Sequence, residues 1–345
     1  MSVETSSRSV GAPRRGALRP TKMLIVIVNY RAEDLTIDCL RSLEPEIERN
    51  EGVGVVVCEN GTGEHAVRAL CEAVESNGWG DWCEVWAHEP NIGFSGGNNV
   101  VLDEMVTWED APACALLLNA DTVVREGAIG ELLRAADAHP EAGIISPRME
   151  YLDGTPQVSC FRHFHPITEF EKSAGTGPVT RVLGRYVVPM PVSDAPTRPD
   201  WTSFACALIR TEVLRTVGTL DSGYFLYFDD PDYCRMARRA GYDILHVPSA
   251  RVVHLRGRSN PSKRLASERK RRPWYHYASR SRYYAKHYGR FGLLCANVLW
   301  TLGHGVALLR RSIGGKPTSA CEREWRDIWI NFTHPMRMPR RGQDG

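Results

Sequence analysis

The sequence lacks the cysteine patterns of zinc-binding and disulfide-stabilised proteins. Its 345 residues include ten cysteines, but no CxxC pair and no framework-like spacing. This predicts buried free thiols in a reducing compartment and argues against a zinc site. A secretory signal is also missing, because the apolar run at 23–28 is too short for one. Residues 1–21, which are rich in Ser, Arg and Pro, are expected to form a disordered leader.

Two common nucleotide-binding motifs are missing as well. The segment 91–99 (NIGFSGGNN) has neither the GxGxxG spacing of a dinucleotide site nor the Gly-Lys-Ser/Thr ending of a P-loop. This argues against a dehydrogenase and against an NTPase. The segment can still bring backbone N–H groups and Asn side chains to a nucleotide or a sugar. The alternative is a helix-starting turn that Ser95 caps.

Net charge is small, at +2, but basic residues concentrate in one region. Residues 256–290 contain many Lys and Arg and a single acidic residue, Glu268. Such a run usually forms a solvated face, although phosphate or anionic lipid would also suit it. Aromatic residues interleave with it, but no nucleic-acid-binding module surrounds it, so no nucleic-acid partner is predicted.

What the chain does have is an alternation of apolar runs with the patterns of strands and helices. The run 23–28 (MLIVIV) is typical of a strand buried on both faces. Strands that alternate with helices predict a parallel sheet with right-handed crossovers. A buried edge strand is expected near the end of this pattern, at 244–253. The other predicted strands lie at 53–58, 84–87, 115–118 and 143–146.

Polar residues collect where the first four predicted strands end. Each position alone is weak, because Asn and Gly are common in turns. Ligands of open parallel sheets, however, bind beyond the carboxyl ends of the strands, so four polar clusters on one rim predict a binding site. The clusters are Asn29-Tyr30-Arg31, Glu59-Asn60-Gly61, the glycine- and asparagine-rich part of 91–99, and Asn119 with Asp121.

The segment 223–235 (GYFLYFDDPDYCR) is the most informative in the chain. It places Asp229, Asp230 and Asp232 directly after an aromatic run, where we expect a strand to end and a helix to begin. A general base needs a carboxylate held rigidly at the edge of a cleft. This interpretation is favoured over a plain helix N-terminus, which also prefers Asp.

The sequence alone leaves two roles open for each of two further residues, Asp121 and His254. Asp121 could bind a hard cation or simply cap a turn. His254, at the end of the predicted edge strand, is more often structural than a metal ligand when it stands alone.

Taken together and in this order, the motifs resemble those of an inverting nucleotide-sugar glycosyltransferase of family 2, with the GT-A fold. The nearest branch is rhamnosyltransferase-like and builds bacterial cell-surface polysaccharides and related glycoconjugates. The resemblance runs from about Leu24 to His254. Its motifs are 25–31 (IVIVNYR), 58–61 (CENG), 91–99 (NIGFSGGNN), 117–122 (LLNADT), 227–235 (YFDDPDYCR) and 254–259 (HLRGRS).

The resemblance implies a fold and a domain organisation. The fold is α/β, with a mixed, mostly parallel sheet flanked by helices and a C-terminal helical extension. The GT-A domain is expected at 22–258, with a nucleotide-binding half at 22–122 and an acceptor or catalytic half at 123–258. The basic helical extension is expected at 259–345.

The resemblance also implies roles for individual residues. Asp230 matches the catalytic base, and Asp229 is its acidic neighbour. Asp121 matches the last acid of the family's DxD element and would bind Mn²⁺ or Mg²⁺, with His254 as a further ligand. The remaining implied residues hold the nucleoside diphosphate of the donor: Asn29, Tyr30, Arg31, Glu59, Asn91, Gly97, Asn98, Asn119 and Arg258.

The sequence departs from the family pattern at three points. Asn119 replaces the first DxD acid, which leaves fewer charged metal ligands. Glu59 replaces the usual Asp and is one methylene longer, which leaves the nucleoside base of the donor open. The candidate donors are dTDP-rhamnose, which the branch suggests, and UDP-sugars. The catalytic element is Asp-Asp followed by Pro231, which a first helical turn tolerates.

Two other functions compete with this interpretation. A sugar-nucleotide pyrophosphorylase would have a Gly-rich, Arg- or Lys-containing loop after the first strand, unlike Asn29-Tyr30-Arg31. A non-catalytic, membrane-associated partner in a glycan assembly complex is disfavoured by the intact Asp121, Asp230 and His254.

The apolar segment 291–309 bears on location. It is of borderline length for a membrane span and contains Asn297, His304 and three glycines. A packed helix is favoured over contact with lipid. The protein is therefore expected in the cytoplasm, with peripheral contact at the inner face of the plasma membrane as the alternative. The acceptor is expected to be a glycan, a lipid-linked saccharide or a small molecule.

Overall fold

The computed structural model describes residues 18–255, 265, 267–315 and 317–337, and its centre is a sheet of eight strands. A separate two-stranded sheet pairs β7 (Cys160–Phe161) with β8 (Trp201–Thr202). The strands of the central sheet are β1 (Met23–Asn29), β2 (Val53–Asn60), β3 (Cys83–His88), β4 (Cys114–Asn119), β5 (Thr122–Val124), β6 (Ala142–Glu150), β9 (Cys206–Arg210) and β10 (Asp243–His254).

The order of strands across the central sheet is β3-β2-β1-β4-β9-β6-β10-β5. Strands β3, β2, β1 and β4 are parallel neighbours, and β10 is parallel to β6. Strand β9 is antiparallel to both β4 and β6, and β5 is antiparallel to β10. The prediction of a mixed, mostly parallel α/β sheet is confirmed.

Helices cover both faces of the sheet. Residues of β1 alternate between two cores: Ile25 and Ile27 face one of them, and Leu24 and Val26 face the other. This is why the run is apolar without interruption. The helices are α1 (Glu33–Arg49), α2 (Glu64–Ser76), α3 (Gly93–Met105), α4 (Ala128–Ala138), α5 (Pro166–Ala174), α6 (Gly177–Val182), α7 (Thr211–Val217), α8 (Asp229–Arg239), α9 (Trp274–Ser312) and α10 (Glu324–Asp327).

Two local predictions were wrong. The strand expected at 244–253 is not at the edge, because β5 pairs with residues 252–254 of β10 on its far side. The aromatic run before Asp229 forms bends and turns instead of a strand. Tyr227 and Phe228 there adopt left-handed φ angles of 69° and 64°, which a pleated strand does not contain.

The long helix α9 packs along α5, which lies in the proline-rich segment 151–200. Gly303 permits the close approach, since a Cβ there would lie 2.1 Å from Oγ of Ser173. The buried guanidinium of Arg280 pairs with Glu169 of α5 and donates to Oδ1 of Asn297 at 2.7 Å. Helix α9 bends at Gly289, whose φ is 70°.

The segment before β1 is attached to the sheet from residue 18 onward. The Leu18 backbone N–H donates to Oε1 of Glu84 at 2.6 Å, and the Leu18 side chain fills the space beside Gly54. The rest of the leader predicted for 1–21 lies outside the described residues.

Candidate active site

The carboxyl ends of β3, β2, β1 and β4 meet at one edge of the sheet, as the polar clusters suggested. Asn29 and Glu59 pair across the ends of β1 and β2, and both are completely buried. Oδ1 of Asn29 accepts from Thr36 at 2.8 Å, and Oε1 of Glu59 accepts from the Thr62 backbone at 2.7 Å. Nδ2 of Asn29 and Oε2 of Glu59 have no hydrogen-bond partner within the described residues. Buried polar atoms in this condition point to a ligand that satisfies them.

Tyr30 and Arg31 form the turn that follows β1. Arg31 has a left-handed φ of 52°, and its backbone N–H donates to Oγ1 of Thr62 at 2.9 Å. The Arg31 guanidinium lies over the Tyr30 ring, 5.0 Å from its centroid. The turn after β1 is thereby tied to the loop after β2, beside Asn29 and Glu59.

Asn60 and Asn91 organise the loop that leads into α3. Nδ2 of Asn60 donates to Oδ1 of Asn91 at 3.2 Å and to the Gly93 carbonyl at 3.0 Å. Oδ1 of Asn91 also accepts from the Gly93 backbone at 2.8 Å. Helix α3 begins at Gly93 without a side-chain cap, so Ser95 does not cap it. The sequence motif is therefore an amide-braced loop that follows β3, together with the first turns of α3, and it lies beside the end of β2.

Gly97 and Asn98 lie inside α3. A Cβ at Gly97 would lie 2.8 Å from Cγ1 of Val28 and 3.0 Å from Nδ2 of Asn60. Gly97 thus allows α3 to pack tightly on the ends of β1 and β2. Nδ2 of Asn98 donates to the Phe94 carbonyl at 2.9 Å, one turn earlier in the same helix.

Asp121 and His254 come together although 133 residues separate them. The antiparallel pairing of β5 with β10 places Thr122 opposite His254. Nε2 of His254 lies 3.3 Å from Oδ1 of Asp121, and both residues are buried. Asn119, half-buried at the end of β4, precedes Asp121 by two residues. In the described part of the chain, no third His, Cys, Asp or Glu joins this pair as a metal cluster.

Asp229 and Asp230 occupy the first turn of α8. The preceding residue, Phe228, accepts from the Asp232 backbone N–H at 3.1 Å while holding its left-handed φ. Asp229 is buried, and this burial, together with nearby Asp232, raises its pKa to about 7. Asp230 is half-buried. Two adjacent carboxyl groups therefore have different environments, and the left-handed φ angles indicate backbone strain of the kind that collects at functional sites.

The acid segment at 221–232 is held by α9, which sequence reasoning did not anticipate. Oδ2 of Asp232 accepts from Nζ of Lys286 at 2.7 Å, and its Oδ1 lies 2.7 Å from Nε2 of the buried His287. Arg282 and Lys286 both pair with Asp221. No local pattern marks these pairs, because the partners lie more than fifty residues apart.

The acid segment also contacts the amide-braced loop. The Phe94 N–H donates to the Phe225 carbonyl at 2.7 Å, and a Cβ at Gly93 would lie 2.1 Å from that oxygen. Asn99 donates to the Leu220 carbonyl at 2.6 Å and accepts from its backbone N–H. We call Asn29, Glu59, Asn60 and Asn91 the strand-end cluster. Helix α3 therefore joins this cluster to the segment that carries Asp230.

The structure brings most of the predicted site residues to two places, the strand ends of the sheet and the acid segment. Asn29, Glu59 and Asn91 lie at the strand ends, and Asp121 lies against His254. Arg258 was predicted to contact phosphate, but it lies outside the described residues. The additional residues that brace the site are Asn60, Asn99, Asp221, Asp232, Arg282, Lys286 and His287.

Sequence comparison identifies the family. The sequence model described as glycosyltransferase-like family 2 matches residues 20–276, which span the sheet and extend to the start of α9. The chain belongs to this family. The predicted membership in family 2 is confirmed. Among curated relatives of this family 2 glycosyltransferase is the N-acetylglucosaminyl-diphospho-decaprenol L-rhamnosyltransferase of Mycobacterium tuberculosis H37Rv, 30% identical over 167 residues.

The matched segments are partial. The mycobacterial alignment covers 45% of this chain and 52% of the relative, so the chain spans about half of that protein's length. A low-salt glycan biosynthesis hexosyltransferase, Agl10 of Haloferax volcanii, is 25% identical over 240 residues, covering 67% of this chain and 66% of the relative.

Solved structures agree on the fold. The mannosyltransferase PcManGT of Pyrobaculum calidifontis, in complex with GDP-Man and Mn²⁺, aligns over 88% of this chain and 79% of its own. The TM-score is 0.53 and the identity is 14%. GalNAc-T7 with UDP, GalNAc and Mn²⁺ aligns over 94% of this chain and 59% of its own, with TM-score 0.50 and 13% identity. The GT-A fold predicted from the motifs is confirmed.

Proposed function

We propose that this family 2 glycosyltransferase moves a sugar from a nucleoside-diphosphate sugar to an acceptor hydroxyl, with inversion at the anomeric carbon. The observation that carries the proposal is the Asp121–His254 pair at the end of β4. It lies on the same sheet edge as the buried, unsatisfied atoms of Asn29 and Glu59. A nucleoside diphosphate needs a metal ion at its phosphates and hydrogen-bond partners at its nucleoside. The Asp121–His254 pair can hold the first, and the atoms of Asn29 and Glu59 can supply the second.

The donor nucleoside would lie against the ends of β1 and β2. Oε2 of Glu59 can accept from a ribose hydroxyl or a base N–H, and Nδ2 of Asn29 can donate to a base carbonyl. Tyr30 and Arg31 would close over the nucleoside, while Asn91, Gly97 and Asn98 line the path towards the diphosphate. We infer dTDP-rhamnose or a UDP-sugar as the donor, and the rhamnosyltransferase named among the relatives favours the first.

Mn²⁺ or Mg²⁺ fits the residues at the end of β4. Oδ1 of Asp121 is buried, and Nε2 of His254 faces it at 3.3 Å, so a carboxylate oxygen and an imidazole nitrogen point at the same place. Asn119 offers an amide oxygen nearby in sequence. Such ions commonly take one or two protein ligands and complete their shell with substrate phosphate and water. The ion would neutralise charge on the departing diphosphate.

Asp230 would act as the base. Its carboxylate accepts the proton of the acceptor hydroxyl as that oxygen attacks the anomeric carbon from the face opposite the diphosphate. The bond to the diphosphate breaks in the same step, so one displacement inverts the centre. Asp229, whose pKa is raised to about 7 by burial, is largely protonated below neutral pH and adds little negative charge beside Asp230.

We infer that the acceptor is a glycan or a lipid-linked saccharide, and that the enzyme works in the cytoplasm at the inner face of the plasma membrane. All ten cysteines are free, as expected for a reducing compartment. The mycobacterial relative is named for a diphospho-decaprenol acceptor, which supports a lipid-linked saccharide here.

The test is thermal stabilisation of the purified full-length protein by UDP, dTDP, GDP and CDP, each with and without Mn²⁺. We expect one nucleotide to raise the melting temperature in a metal-dependent way, because a ligand that binds only the folded state stabilises it. Asp230→Asn should retain this shift and lose about 10³-fold in kcat with the matching donor. If no nucleotide stabilises well-folded protein, the donor site is refuted and a non-catalytic partner role takes its place.

A further inference from the structure

The outward face of α9 carries a row of exposed apolar side chains. Successive members are three or four residues apart, which aligns them on one side of a helix. The row extends about 33 Å at the rise of an α-helix. No Asp or Glu occurs anywhere in 289–315. We call this row the apolar stripe, and it consists of Phe291, Leu294, Val298, Leu302, Val306, Leu309 and Ile313.

The opposite face of α9 is already packed against protein. Leu293, Ala296 and Trp300 are buried, and Gly303 lies against α5. By length and composition α9 could cross a membrane, but the buried Arg280–Glu169 pair holds its other side to the domain. Lipid could therefore reach only the stripe, which corresponds to a helix lying parallel to a membrane surface.

Charge at the ends of the stripe favours an anionic partner. Arg290 precedes it, and Arg311 lies near its end; both are exposed. A second copy of the chain would place arginine against arginine whether the two helices ran parallel or antiparallel. Anionic lipid headgroups instead complement these cations, while the acyl region accepts the apolar side chains.

The start of the stripe borders a cleft, because Phe291 belongs to both. The cleft, of about 450 Å³, lies between α5 and α9 and is lined by Ile167, Tyr288, Phe291 and Leu299 among others. The Tyr288 hydroxyl accepts from Arg235 of α8 at 2.8 Å. The stripe is therefore continuous with a cleft whose lining residue Tyr288 is hydrogen-bonded to the helix that carries Asp230.

We propose that the apolar stripe is a docking surface for an anionic lipid bilayer, on which α9 lies flat with the cleft at the membrane surface. The proposal rests on the proposed function only in its consequence, which is that a lipid-linked acceptor would meet the enzyme at this surface. Binding to the bilayer itself is independent of sugar transfer.

The test is flotation of the full-length protein with vesicles of phosphatidylcholine, with and without phosphatidylglycerol. The test variant carries Phe291→Asp, Leu302→Asp and Leu309→Asp together. The control is Leu152→Asp, because Leu152 is 67% exposed, close to the 66% of Leu309, and lies outside α9. We expect wild type and control to float with phosphatidylglycerol vesicles and the triple variant to lose about 100-fold in partitioning.

Three results would overturn the proposal. Wild-type protein could fail to float with any vesicle, or the triple variant could float as well as wild type. Light scattering could also show a wild-type dimer that the triple variant converts to a monomer without a change in vesicle binding, which would assign the stripe to a second copy. Nucleotide-induced stabilisation of the triple variant shows separately whether its donor site is intact, and Asp230→Asn should float normally.

Discussion

The two regions of the candidate active site are held in place by different means. The strand-end cluster is braced by hydrogen bonds between neighbouring strands and loops, such as the one from Asn60 to Asn91. The acid segment follows no strand and is held at Asp221 and Asp232 by side chains of α9. The donor side therefore depends on the sheet, whereas the position of Asp230 depends on the docking of a later helix. This difference predicts that the two regions can be damaged separately.

Asp232→Asn should break the acid segment most severely. It removes the charge that Lys286 and His287 share. Lys286 keeps its pair with Asp221, so the loss is that of charge-assisted hydrogen bonds to the buried Asp232, about 2 kcal/mol of unfolding free energy. We expect kcat to fall about 100-fold, with nucleotide affinity nearly unchanged, as measured by urea unfolding, steady-state kinetics and titration. Asp194→Asn, at an exposed ion pair with Arg148, is the control. An equal loss of nucleotide affinity would contradict the separation.

Asp121→Asn should break the donor side instead. The variant loses the carboxylate beside His254, so its affinity for nucleotide in the presence of Mn²⁺ should fall about 100-fold, or ~2.7 kcal/mol. Calorimetric titration with and without Mn²⁺ measures this. Affinity without metal should match wild type. A similar fall in the absence of metal would show that Asp121 contacts the nucleotide directly.

Asp229→Asn should change how the stability of the acid segment depends on pH. Burial raises the folded-state pKa of Asp229 to about 7, above its value in the unfolded chain. The unfolded state therefore loses its proton first, and this residue reduces stability as pH rises from about 4 to 7. The variant should be more stable than wild type at pH 8, by up to about 4 kcal/mol, and equal to it near pH 4. The free energies of unfolding of variant and wild type are measured at both pH values. The same difference between the two proteins at pH 4 and at pH 8 would refute this prediction.

Gly97→Ala should give the smallest effect, confined to the donor side. The added Cβ meets Val28 and Asn60 at 2.8 and 3.0 Å, which should destabilise the fold by about 1–2 kcal/mol. Gly305→Ala is a matched control, because Gly305 is also helical and nothing lies within 4 Å of its Cβ position. We expect melting temperature to fall for the first and to stay level or rise for the second.

Much of the donor side could be predicted from the sequence because its signals are local. Apolar runs fix β1, β2, β3 and β4 as buried strands, and the parallel arrangement then brings Asn29, Glu59 and Asp121 to one edge. The approach of His254 to Asp121 needed the family resemblance, since it depends on β10 pairing with the three-residue strand β5.

The acid segment was less predictable because its supports are remote. The run at 256–290 was expected to be a solvated face, yet Arg280 and Arg282 are buried against Glu169 and Asp221. A run of cationic residues does not predict which of them pair with acidic residues elsewhere in the chain. The antiparallel direction of β9 was hidden for a similar reason, because a strand's residue pattern is the same in both directions.

The pairing of β5 with β10 has a consequence for biosynthesis. Strands β1, β2, β3 and β4, with Asp121, are translated well before His254. A growing chain can complete the nucleoside side of its sheet while still attached to the ribosome without yet presenting the Asp121–His254 pair. On the proposed function, the site for a metal-bound diphosphate is therefore complete only when the strand that ends at residue 254 joins the sheet. On that proposal, a nascent chain shorter than this lacks one of the two metal ligands.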